Sequence, residues 1–175
     1  MRNILIVALL LASPAVAQPG PPPRVSQRGG VEEGGGLVVQ KSLSLPMAKA
    51  IAEETLAACK AKGFNTAAAV VDRAGQLLVL LRDEQATSQM AEMSRRKAYT
   101  ARMFRVLTSE FQKRTLNDPT SAAQRDLADI LALGGGVPIK VGEETIGGVG
   151  SSGSNQETDE GCAKAGVAKV AHLLK

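Results

Sequence analysis

TAAAVVDRAGQLLVLLR, residues 66–82, decides the fold. Two β-type runs, Thr66 to Val71 and Gln76 to Arg82, flank Asp72-Arg73-Ala74-Gly75, a turn sequence in which glycine supplies a positive φ, so the stretch predicts a β-hairpin. On its N-terminal side Ser44 is an N-cap signal and Pro46 suits a first helical turn. Ala48, Ile51, Ala52, Thr55 and Cys59 share one face of a helix reaching Lys62, which Gly63 ends. Leu37 to Gln40 is a candidate short first strand. On the C-terminal side Thr87 to Arg105 predicts a second long helix, and Thr108 to Leu133 shorter helical pieces broken around Asn117-Asp118-Pro119. Past Gly134-Gly135-Gly136 comes a second hairpin, Val137 to Val141 and Thr145 to Gly150 around Gly142-Glu143; Asn155 then caps a last helix running to the C-terminus. The order helix, hairpin, helices, hairpin, helix predicts an α/β (α+β) fold, an antiparallel sheet flanked by helices.

The chain ahead of this pattern has another character. Met1 and Arg2, the apolar run Ile4 to Ala12 and the small-residue site Ala15-Val16-Ala17 have the form of a secretory signal peptide over residues 1–17. The run is about half of the roughly 20 residues a spanning helix needs, so the mature protein is expected to have no membrane span and to be periplasmic or secreted. Residues 18–36 are rich in Pro and Gly with little to bury, and read as a disordered tether. One domain, residues 37–175, remains.

Lys and Arg number 21 against 17 Asp and Glu, a net charge of +4 that falls to +3 when Arg2 leaves with the signal. That is too little for an electrostatic nucleic-acid argument, and with 2% aromatic residues there is no stacking platform, so no nucleic-acid partner is expected.

On a helical wheel Ala86, Met90, Met93, Thr100, Ala101 and Phe104 fall on one face of the second long helix, with Lys97 in their midst. Such a lysine either packs its stem and lets the ammonium reach the rim, or meets a partner or ligand. In the last helix Asp159 shares the face of Cys162, Ala163, Gly166, Val170 and Leu173. It is either a carboxylate favoured by the helix start or the partner of Lys97 at a pocket mouth. Gly148-Val149-Gly150-Ser151-Ser152-Gly153 matches GxGxxG, but no further strand with an acid follows, so the dinucleotide reading fails. Tight strand-to-helix packing, or an anion held at the helix start near Gly153, remains. Gly134-Gly135-Gly136 is either a cradle or a sharp entry to the hairpin. His172, the single histidine, lies off the apolar stripe near the end; zinc sites and Ser-His-Asp chemistry find no residue set. Cys59 and Cys162 both face inward, as small core residues or as a disulfide.

Val70-Val71-Asp72 with Gly75, Arg96-Lys97-Ala98 followed by Thr100-Ala101 and Phe104, Gly135-Gly136-Val137-Pro138-Ile139, and Ile146-Gly147 through Gly150-Ser152-Gly153 to Asp159-Glu160 together resemble the GlcG/HbpS family of haem-binding proteins, from Leu43 to the C-terminus. The resemblance implies a profilin-like or PAS-like fold, a homo-oligomer, and haem or another small molecule as partner. Family members are associated with haem binding, extracellular haem or iron sensing and in some cases haem degradation. Haem needs apolar walls, groups for its propionates and usually an axial ligand. Lys97, Thr100, Asp159, Gly153, Met93 and Phe104 are the candidate ligand-binding residues. The axial position has no obvious occupant: Tyr99 points to the polar side of its helix and would become available at a subunit interface. The leading expectation is an exported haem- or tetrapyrrole-binding protein with haem as its cofactor. The alternatives are an enzyme using Lys97 and Asp159 on a small carboxylated molecule, and a ligand-free interaction module.

Overall fold

The computed structural model describes residues 36 and 38–175. Residues 40–175 form one compact unit; of the preceding unit, residues 1–39, the three described residues lie in no helix or strand. The expected signal peptide, nearly all of the tether, and Leu37 lie outside the described residues. The candidate strand is absent from Val38 to Gln40, where both valines are exposed.

The elements follow the predicted order: α1 (Leu45–Lys60), β1 (Ala67–Val71), β2 (Leu77–Arg82), α2 (Ser88–Phe104), α3 (Thr108–Asn117), β3 (Gly136–Val141), β4 (Glu144–Ser152) and α4 (Gln156–Lys169), with 3-10 turns at Ala122–Asp126 and Ala171–Leu173. The sheet is antiparallel throughout, in the order β2-β1-β4-β3. Pairing β1 with β4 joins the two hairpins into one α+β sheet.

Local chemistry explains each boundary. The Ser44 hydroxyl accepts from Met47 N at the start of α1, and the five residues expected on its buried face are the five found there. In the first hairpin Asp72 Oδ1 accepts from the Ala74 and Gln76 amides at 2.8 and 2.9 Å while Gly75 takes φ +83°. Between residues 108 and 133 the helix is shorter than expected. Asp118 accepts from the Thr120 amide and from the hydroxyls of Thr120 and Ser121, which folds the chain into a turn; after the 3-10 turn, residues 127–133 run without helix. At the C-terminus Val170 leaves helical geometry and Leu173 is exposed, so the expected stripe stops at Val170.

Helices cover both faces of the sheet. β1 is buried throughout: Ala68 and Val70 pack into the main core with α1 and α4, while Ala69 and Val71 meet Ala98 of α2. α2 presses directly onto β4. A β-carbon on Gly148 would lie 2.3 Å from Ala98 O, and one on Gly150 would lie 2.1 Å from Ser94 O. The GxGxxG stretch is therefore a packing surface, which only glycine permits at this approach. On the opposite side a Cys59–Cys162 disulfide, Cα to Cα 5.5 Å, ties α1 to α4.

Candidate functional site

The α2 face that packs on glycine is built from small and polar residues: Ser94, Lys97, Ala98, Thr100 and Ala101 are buried. Lys97 reaches past the end of β4 and donates to Ser151 O at 3.0 Å and to Asp159 Oδ2 at 2.9 Å. Asp159, in the first turn of α4, accepts on its other oxygen from the Ser154 amide and hydroxyl at 3.1 and 2.7 Å. Each side chain is only 2% exposed. The Lys97–Asp159 pair anticipated from the two wheels exists, but inside the protein and not at a pocket mouth; the ammonium does not reach the rim. It joins the helices on the two faces of the sheet. Burial pushes the Lys97 amine below its ordinary value, against the opposing pull of Asp159.

The glycine run before β3 closes over this pair. Gly135, at φ +121°, gives its carbonyl to the Ser151 amide, and a β-carbon there would lie 2.9 Å from both Lys97 Nζ and Asp159 Cβ. Gly136 donates its amide to Thr108 Oγ1. The run is thus both the entry to the hairpin and the cover of a buried charge.

The other candidates separate from the pair. Thr100 Oγ1 donates to Arg96 O and accepts from the Leu131 amide, which anchors the irregular segment 127–133 across α2. Gly153, at φ +145°, is wedged against Asn65 and Thr66. Met90, Met93 and Phe104 are half-buried, so the apolar wheel misplaced the inner face by part of a turn. Phe104 stacks on the buried Phe111, ring centroids 4.2 Å apart, with Arg114 over both rings. His172 is exposed.

An open surface lies at the β2 edge, on the α2 side of the sheet. Leu77 and Leu80 pair with Val71 and Ala69, which face α2, yet they are 44% and 41% exposed because α2 lies over β4. Tyr99 and Met103 of α2 reach the hairpin turn: a β-carbon on Gly75 would lie 2.9 Å from the Tyr99 ring and 2.5 Å from Met103 Cε. Leu77 and Leu80 lie along β2, and Tyr99 and Met103 lie against the turn before it; these four apolar side chains are the shelf of this surface. Beside it a cleft of about 390 Å³ is lined by Gln40, Ser42, Asp72, Arg73, Ala74 and Arg102. Sequence reasoning misses Arg73 and Arg102; on the helical wheel Arg102 falls well away from the apolar face. The signal that could have found it is its i,i+3 spacing from Tyr99.

Among the described residues there is no cluster of three or more His, Cys, Asp or Glu fit to hold a metal ion, and no helix is long and apolar enough to cross a membrane.

One antiparallel sheet between helical layers, glycine-packed on one face and locked by a buried lysine–aspartate pair, defines a class of small α+β domains. Within that class the chain belongs to the family described as haem-degrading protein HbpS-like, whose model matches residues 43–168. It is similar to protein GlcG of Escherichia coli K12, 33% identical over 110 residues, 63% of this chain and 81% of the relative. A crystal structure of HbpS superposes with TM-score 0.73 at 35% identity, covering 77% of this chain and 94% of that one. A crystal structure of a PduOC–haem complex shares the fold with TM-score 0.65 at 22% identity, covering 73% of this chain and 94% of that one.

Proposed function

We propose that the protein is an exported haem- or tetrapyrrole-binding protein, and that the ring lies on the shelf of Leu77, Leu80, Tyr99 and Met103. The observation that carries this reading is the shelf itself: exposed apolar side chains beside a phenol, at the mouth of a cleft holding two arginines. A haem asks for apolar contact, a place for its carboxylates and an axial donor, and the set fits. The HbpS-like family and the haem in the PduOC complex support the choice of ligand.

In this reading Leu77, Leu80 and Met103 would hold the ring by apolar contact and shield it from water, and the Tyr99 phenol would be the oxygen donor available to it. Bound haem would supply iron chemistry; the chain's part is to hold and orient it. The Lys97–Asp159 pair, Thr100 and Gly153 act from behind, holding α2 and the end of β4 in place, while Met93 and Phe104 fix the flanks of the same helix. The shelf is open on its outer side, so a second copy of the chain would complete the burial of the ring, and homo-oligomerisation belongs to the proposal. Export is supported by the signal-like residues 1–17 and by the disulfide between α1 and α4, a bond that persists in oxidising compartments.

An enzyme working through Lys97 and Asp159 loses support from the geometry, because both side chains are buried and both carboxylate oxygens are already engaged. The test is the spectrum of the haem-loaded protein and of Tyr99→Phe. Loss or displacement of the Soret and charge-transfer bands in the variant is expected; an identical spectrum removes Tyr99 from the site.

A further inference from the structure

The cleft beside the shelf has an unusual charge arrangement. Arg102 projects from the third-last position of α2, and its Nε is buried with no hydrogen-bond partner among the described residues. Among the described residues no carboxylate forms an ion pair with it, whereas Arg73 across the cleft is bridged to Glu144 through Nη1. Asp72, the acid in the cleft wall, accepts the Ala74 and Gln76 amides on Oδ1 and makes no ion pair with Arg102 among the described residues. Arg105 follows Arg102 one turn on, held at φ +60° in the left-handed cap of the helix. Burial and the neighbouring Arg105 and Arg73 both disfavour the charge on Arg102, and Asp72 only partly offsets them.

The Arg102 Nε is thus a buried donor that lacks an acceptor among the described residues. A buried donor left without an acceptor is destabilising, and more so when it is charged. Gln40 and Ser42 add neutral polar groups to the wall but no charge. The missing complement is a planar anion with two acceptor oxygens, which matches the fork of an arginine.

We propose that the cleft between Arg73 and Arg102 is a carboxylate-binding site, with Arg102 the principal ligand and Arg73 the second. Its position at the end of the apolar shelf makes the carboxylate that of a flat apolar molecule. The identity of that molecule as haem, and of the group as a propionate, rests on the function proposed above; the chemistry of the site does not. The two sources of the group, a haem propionate and a free small dicarboxylate, are separated by the test.

The test titrates the purified protein with haem and with haem dimethyl ester, in which both propionates are blocked, reading the Soret band. The same titrations are run on Arg102→Gln and on Arg102→Lys, which keeps the charge but loses the fork, after thermal melts verify that both variants fold. Wild type is expected to bind haem at least about tenfold more tightly than the ester, the scale of one charge-assisted contact. Arg102→Gln should abolish that difference while leaving ester affinity unchanged, and Arg102→Lys should retain part of it. An unchanged preference for haem in both variants overturns the assignment. If neither porphyrin binds, the haem reading fails by itself, and glutarate then judges the cleft by thermal shift. Stabilisation of wild type that disappears in Arg102→Gln upholds a carboxylate site, and no glutarate effect on wild type overturns it.

Discussion

Replacing Asp159 by Asn keeps the shape of the α4 start and the acceptor for Ser154, but leaves the Lys97 ammonium buried with Ser151 O as its one remaining partner. Both side chains are 2% exposed, so water cannot make up the loss. Removing one member of a buried pair costs about 3–5 kcal/mol, and we expect about 4 here. Lys97→Met should cost less, about 3 kcal/mol, because the Asp159 carboxylate keeps two hydrogen bonds from Ser154 and the favourable end of the helix dipole. In the double variant no buried charge is left, so the loss should stay near about 4 kcal/mol, a coupling of about 3 between the sites. Urea denaturation of the four proteins measures this directly. Additivity within about 0.5 kcal/mol would refute the claim that the two residues act as one unit. The pH dependence carries a second check. Burial depresses the Lys97 amine, so between its folded value and the ordinary 10.5 the unfolded chain holds more protons. This group's contribution therefore makes stability rise with pH across that window, and Lys97→Met should remove that part of the alkaline slope.

Gly150→Ala places a methyl 2.1 Å from Ser94 O and should destabilise by at least about 2 kcal/mol in denaturant melts; a neutral result would mean that α2 is not seated on β4 as described. Removing the Cys59–Cys162 bridge by the double alanine change should lower stability by about 4 kcal/mol, given the 103-residue separation it closes, and thiol counting on the folded wild type should find none free. The Asp83 carboxyl is held below its ordinary range by its hydrogen bond from Lys60, and that of Asp118 by hydrogen bonds from Ser121 and Thr120. Their contribution is therefore present above the usual carboxylate value and lost as pH falls through the lower folded values. Asp118→Asn should flatten the acid limb of a stability-pH curve, and an unaltered limb would count against the Asp118 turn network.

The element order was readable because its signals are local. Ser44, Gly75, Gly142 and Asn155 each fix a boundary through their own backbone chemistry, and the inner face of α1 is apolar enough to follow from period alone. α2 was harder. Its partner strand is glycine, so the residues that fit against it are Ser94, Ala98 and Lys97, and a wheel weighted by hydrophobicity favours Met90 and Met93 instead. The Lys97–Asp159 pair was legible because a charge on an inward face demands an opposite one; its depth was not, since that depends on Gly135 folding over it. The choice between free thiols and a bridge at Cys59 and Cys162 required the relative placement of α1 and α4, which no single helix encodes. Arg102 escaped for the opposite reason: a charge on an outward face looks solvated until the β1–β2 turn is brought beside it.

The proposal of a tetrapyrrole-binding protein is tested most directly by adding haem to the purified wild type and following the Soret band. The shelf beside Tyr99 predicts a shifted, saturating band with a stoichiometric end-point no greater than one haem per chain. Absorbance that grows linearly with added haem and matches haem in buffer would contradict it.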